Sequence, residues 1–217
     1  MKLEKMGEFF DRRLEGYEEH QLNCIESAKE FYPCTAEQLP MFSGSRVLDL
    51  GCGTGLELSE YFKRNPDAVV TGIDLADGML QFLKVKFPDK RLTLINASYF
   101  TVPFGEAIYD AAVSVESLHH FTLQQKIPLY AKLHKALKGK GYFILTDYII
   151  EDDQEEERYF HELERLKKES GVGDNEFYHY DTPLTREHET DALIAGGFSK
   201  TECINQWGNT IMLKAYK

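Results

Sequence analysis

Cysteine, tryptophan and proline are scarce in these 217 residues, at four, one and seven. Cys24, Cys34, Cys52 and Cys203 lie far apart, with no CxxC and no Cys/His cluster at ligand spacing. That argues against a disulfide-stapled fold and a structural metal, and predicts free thiols and no metal ion. No stretch is long and apolar enough to cross a bilayer. After Lys2 and Lys5 the N-terminus runs into Glu8, Asp11 and Glu15 instead of an apolar signal region, so a cytoplasmic address is expected. Positive charge is short too: 25 basic against 36 acidic residues leave a net charge of −11. Such a field repels phosphate backbones and anionic lipid, which makes nucleic acid and membranes disfavoured partners. Repeats and low-complexity tracts are also missing.

What is present suits a globular α/β chain, with 42% apolar and 12% aromatic residues. The length favours one domain with attachments. Residues 1–43 read as an amphipathic helical cap, with Phe9, Phe10, Leu14, Tyr17, Leu22, Ile25 and Phe31 on one face, until Pro33 and Pro40 break the pattern. From Arg46 short β-branched runs alternate with helical segments, as in βαβ units around a parallel sheet. Strands are predicted at 47–50, 69–74, 92–96, 109–115 and 142–147, each nearly continuously apolar. Helices are predicted at 56–63, 77–86 and 124–137, the last stopped by Gly139 and Gly141.

Residues 44–150 thus form a core, and 151–182 insert an acidic helix (151–170) followed by a loop at Gly171, Gly173, Asp174 and Asn175. Residues 183–217 supply a helix at 185–195 and two strands around Trp207, Gly208 and Asn209. That turn is short enough for a hairpin, giving an antiparallel pair at the sheet edge. The expected fold is a doubly wound, mostly parallel seven-stranded sheet with an antiparallel C-terminal strand and an N-terminal helical lid.

VLDLGCGTG at 47–55 is a buried strand running into a glycine-rich turn. Gly51, Gly53 and Gly55 expose backbone N–H groups and a helix N-terminus to a ligand, although any tight strand-to-helix turn can also use glycine. The GxGxG spacing departs from the dinucleotide GxGxxG. Asp74 ends the next strand about 20 residues on, where a ribose-binding acid belongs in a doubly wound sheet. Loop and acid together favour an adenosine-containing cofactor.

VLDLGCGTG, GIDLADGML at 72–80, SLHHF at 117–121 and LKGKGYFILTD at 137–147 resemble, in order, the motifs of class I S-adenosylmethionine-dependent methyltransferases. The likeness covers roughly residues 44–150, and the C-terminal segment more loosely. It implies a Rossmann-like methyltransferase fold with S-adenosylmethionine as cofactor and S-adenosylhomocysteine as product. By the same resemblance Asp49 and the Gly51–Gly55 loop, Cys52 included, hold the methionine part, and Asp74 accepts the ribose hydroxyls. Leu75 and Met79 flank the adenine, Met79 having an ordinary helix-core role as its alternative. Where many relatives carry Gly-Asp-Ala, this chain has Ala97-Ser98-Tyr99, so the Ser98 hydroxyl and the Tyr99 backbone N–H are left to meet the adenine.

Strand 109–115 should deliver Glu116, His119 and His120 to the rim above the cofactor, where imidazole suits a base near neutrality. His120 is the preferred catalytic residue by resemblance, then Glu116 and His119; a packed and a solvated histidine is the plainer reading of the pair. Tyr17 and His20, one helical turn apart, and Tyr148 are candidate substrate contacts. The acidic helix 151–170 is expected to form a second wall of the acceptor pocket, its charge mostly a solvated face.

The expected activity is methyl transfer to oxygen, nitrogen or sulfur of a small molecule, by a monomer or homodimer. Alternatives are a tRNA or protein methyltransferase, a non-catalytic S-adenosylmethionine-binding protein, and a nicotinamide-dependent oxidoreductase.

Overall fold

The apolar runs become five parallel strands, β1 (Arg46–Leu50), β2 (Val69–Asp74), β3 (Arg91–Asn96), β4 (Tyr109–Val115) and β5 (Leu137–Tyr148). The computed structural model describes residues 3–173 and 176–217. β6 (Lys200–Trp207) and β7 (Thr210–Tyr216) complete a seven-stranded sheet in the order β3-β2-β1-β4-β5-β7-β6. β7 pairs antiparallel with β5, Asp147 opposite Ile211, and β6 closes the hairpin at the edge through Gly208 in left-handed backbone.

Period-two alternation divides the core between the two faces. Leu48, Ala112 and Phe143 point to one side, where α6 (Leu123–Ala136) and α8 (Arg186–Ala195) pack. Val47, Ala111 and Ile144 point to the other, against α4 (Leu56–Arg64) and α5 (Asp77–Lys86). Thr122 and Gln125 form a capping box at the start of α6, which a buried Lys126–Glu189 ion pair of 2.5 Å ties to α8.

The N-terminal cap divides differently from the sequence pattern. It forms α1 (Met6–Asp11), α2 (Tyr17–Cys24) and α3 (Ala28–Glu37), broken at Gly16 and Ser27 in left-handed backbone, while Pro33 lies inside α3. A mid-helix proline costs about 3 kcal/mol. Phe31, Tyr32, Thr35 and Ala36 are buried beside it, and roughly 1.5–3 kcal/mol for each large apolar side chain outweighs that cost. Gly139 and Gly141 likewise do not stop α6, which ends at Ala136. They lie in the first part of β5, where its pairing with β4 shifts register, a place glycine tolerates.

The acidic segment forms α7 (Asp153–Ser170), begun by the Asp152 carboxylate on the Gln154 amide and ended at Gly171. Leu163 and Leu166 bury against Leu3, Val172, Tyr178 and Tyr180, and most of the acidic side chains turn outward, except Glu156, which is buried and accepts the Thr185 N–H at 2.7 Å. Asp174 and Asn175 of the expected loop, and Lys2, lie outside the described residues.

Candidate active site

β1 delivers the chain into the glycine turn at the C-terminal edge of the parallel strands. Gly51 has φ of 74°, and a Cβ there would sit 2.1 Å from Ser117 Oγ. Gly53, at φ of 47°, faces open space and donates its N–H to Asp74 Oδ2 at 2.8 Å. The Ala76 N–H takes Asp74 Oδ1 at 2.8 Å, so the carboxylate is fixed by main chain and each oxygen keeps a lone pair. Burial raises its pKa against the pull of those N–H groups.

Beneath the loop Asp49 is buried and touches the carboxyl of Glu57, in the first turn of α4. Asp49 Oδ2, Glu57 Oε1 and Thr54 Oγ1 have no hydrogen-bond partner among the described residues. Burial first, then the facing Glu57, lifts Asp49 well above the carboxylate range, and burial raises Glu57 too. Buried acceptors of this kind suit a ligand that brings its own cation.

Of the residues singled out for the cofactor, Gly51, Gly53, Asp74, Leu75, Met79 and Tyr99 line one cavity. Cys52 is buried behind the loop, with its sulfur against Gly72 of β2. Gly55 forms the N-cap of α4. Ser98 Oγ accepts the Phe100 N–H at 3.2 Å and lies outside the lining. Met6, Phe10 and Tyr17 of the helical cap roof the same cavity. Asp11 Oδ1 on the Gly78 amide at 2.8 Å and a Lys86–Glu18 ion pair at 2.5 Å latch that cap to α5.

A second cavity adjoins it, and Phe10, Tyr17, Glu116 and His120 line both. His20, His119 and Tyr148 line only the second. Glu116 follows β4 with φ of 49°, a left-handed conformation that costs a residue with Cβ about 1–3 kcal/mol and clusters at functional sites. A 3-10 turn, Leu118–His120, follows, pinned where Asp147 Oδ2 accepts the Leu118 N–H at 2.8 Å. His119 Nδ1 is 2.6 Å from Asp147 Oδ1, and His120 Nδ1 is 3.0 Å from Asp181 Oδ1.

Burial disfavours the charged form of His119, but Asp147 beside it, with Glu116 and Asp181, lifts its pKa to about 9. His120 moves down instead, through burial and the charge of His119. Burial pushes Glu116 up to about 7 against the attraction of His119.

Sequence reasoning missed Glu57, His179, Asp181 and Trp207. The first is an acid in the turn after a glycine loop; the next two lie in the aromatic segment YHYD at 178–181. Phe9 stacks on His179 at 3.5 Å between ring centroids. It is this segment, not α7, that walls the second cavity. The leucines of α7 are spent on holding the segment in place.

The family profile described as a methyltransferase domain matches residues 47–141. An uncharacterised methyltransferase of Synechocystis is 30% identical over 123 residues, 57% of this chain and 56% of that protein. The chain thus spans little more than half of that relative. A carboxy-S-adenosyl-L-methionine synthase of Nitratiruptor is 25% identical over 181 residues, covering 79% of this chain and 76% of the synthase. Among solved structures, a candidate O-methyltransferase of Nostoc punctiforme shares the fold with a TM-score of 0.71 at 20% identity, over 100% of this chain and 63% of that one. The matched segment carries the glycine turn, Asp74 and the strand ends that frame the first cavity, and over that segment the chain is similar to the class I S-adenosylmethionine-dependent methyltransferases, whose fold it shares.

Proposed function

We propose that the chain transfers a methyl group from S-adenosylmethionine in the first cavity to a small molecule in the second. The observation that carries this reading is the junction, where Phe10, Tyr17, Glu116 and His120 line both cavities. Bound there, S-adenosylmethionine supplies a methyl group already activated on a sulfonium. Asp49, Glu57 and the Gly51–Gly55 loop, with Cys52 behind it, hold the methionine end, the two carboxylates meeting its ammonium. Asp74 takes the ribose hydroxyls with its remaining lone pairs, and Leu75, Met79 and Tyr99 flank the base; Ser98 shapes the turn beside them.

Holding the acceptor in line with the methyl group is worth roughly 7–11 kcal/mol at best, and the cap helices exclude water while it happens. The reading gives the proton-accepting role to Glu116 ahead of His120. Both nitrogens of His119 face carboxylates and His120 Nδ1 is engaged, whereas Glu116 Oε1 meets the Thr210 hydroxyl at 3.3 Å and the rest of the carboxylate borders both cavities. Tyr17, His20 and Tyr148 contact the acceptor. The charge of −11 disfavours tRNA.

Incubation of the full chain with labelled S-adenosylmethionine and size-fractionated cell extract tests the reading. Label is expected in the low-molecular-mass fraction with formation of S-adenosylhomocysteine. Label confined to RNA or protein, or no turnover with any fraction, refutes it.

A further inference from the structure

Four of the seven histidines, His20, His119, His120 and His179, line the acceptor cavity. Two of them converge with one carboxylate from a distant segment. We propose that His119, His120 and Asp181 bind a divalent first-row transition-metal ion in the wall of this cavity.

One donor atom from each of the three lies within 4.8 Å of the others. Asp181 Oδ1 is 3.8 Å from His119 Nε2 and 3.0 Å from His120 Nδ1. Donors bound at about 2.0–2.2 Å in a tetrahedral array stand roughly 3.3–3.6 Å apart, and the observed separations bracket that spacing.

The surroundings are arranged as a metal site requires. A histidine ligand normally gives its other ring nitrogen to a carboxylate, which fixes the ring. Here Asp147 Oδ1 holds His119 Nδ1 at 2.6 Å, so that Nε2 faces Asp181. Asp147 is itself pinned by the amides of Leu118 at 2.8 Å and Tyr148 at 3.0 Å. The Thr182 amide donates to the His119 carbonyl at 2.7 Å, holding the segment that carries Asp181 against the histidines.

Two imidazoles and one carboxylate favour ions such as zinc, iron, cobalt or nickel over magnesium and calcium, and leave positions open. All three ligands line the acceptor cavity, so the open positions suit an acceptor oxygen whose proton then passes to Glu116. That role rests on the methyl-transfer reading; ion binding itself does not.

Chelator-treated full-length protein is titrated with Zn²⁺ by calorimetry and with Co²⁺ by visible absorption. One ion per chain and Co²⁺ d–d bands are expected. Asp181→Asn, at a half-buried position, and His120→Asn should abolish them, and Asp147→Asn should weaken binding about 10–100-fold. His188→Ala alters a separate cluster with Asp153 and Glu156 and should leave the titration unchanged. Circular dichroism and Tm without metal, measured on each variant, report an intact fold. The proposal is overturned if the wild-type protein takes up neither ion, the cluster then being a hydrogen-bonded Asp–His–Asp network only. It is equally overturned if Asp181→Asn and His120→Asn titrate like the wild type, or if His188→Ala alone loses the ion. A wild-type protein that binds zinc but not S-adenosylmethionine would sink the methyl-transfer reading and leave this one standing.

Discussion

The two adjoining cavities are assembled in different ways. The first is made largely from strand ends and main chain: Gly51 and Gly53 in left-handed backbone, Asp74 held by two amides, and Leu75 and Met79 just beyond it. The second gathers side chains from the cap helices, the turn after β4, the end of β5, segment 179–181 and the β6–β7 turn. A pocket built on a strand-to-helix crossing is specified by a few adjacent residues, because the crossing itself supplies donors and dipole. A pocket built from dispersed side chains can change its ligand without disturbing that frame.

Substitutions that strike only one side test this division. The largest effect is expected from Gly51→Ala, which forces a Cβ against Ser117 at φ of 74°. S-adenosylmethionine binding should disappear in calorimetry and Tm should fall, the strain being worth about 1–3 kcal/mol; wild-type affinity would show that the loop is not the cofactor cradle. Next, Glu116→Gln should lower kcat about 10²–10⁴-fold with cofactor Kd nearly unchanged. A large rise in Kd would assign Glu116 to the first cavity instead of the junction.

Acidity sharpens the contrast further. Burial raises the carboxyls of Asp49, Glu57 and Asp74, so the folded chain holds protons that the unfolded chain has released above about pH 4. Stability of the free protein therefore declines as pH rises through that window. A cationic ligand needs the ionised carboxyls, so cofactor affinity and the ligand-induced Tm shift should both grow as pH rises above the ordinary carboxylate range; affinity that is flat or falls with pH breaks the account. The smallest effect belongs to the cap. Asp11→Ala removes one exposed latch to Gly78, and a bond worth about 0.5–1.5 kcal/mol should quicken cofactor release several-fold in stopped-flow measurements.

The same difference explains what could be read before the structure. β2 and β4 match their expected bounds, because parallel strands inside the sheet are largely apolar runs, and β1 and the edge strand β3 differ by one residue at the start. Asp74 was findable because it closes such a run. The breaks at Gly16 and Ser27, and the unbroken passage through Pro33, depend on what α3 buries, which no local pattern reveals. Asp181 was invisible for a similar reason: it lies 61 and 62 residues beyond His120 and His119 in sequence and meets them only in the fold, where the Thr182 amide on the His119 carbonyl holds its segment against them.

The most direct test of the first cavity is a calorimetric titration of S-adenosylmethionine into the wild-type chain and into Asp74→Ala. One site per wild-type chain is expected. Loss of two hydrogen bonds to a charged group, at about 1.5–3 kcal/mol each, should weaken the variant at least about 100-fold. Equal affinity in the two proteins would contradict the placement of the cofactor on the glycine turn and Asp74.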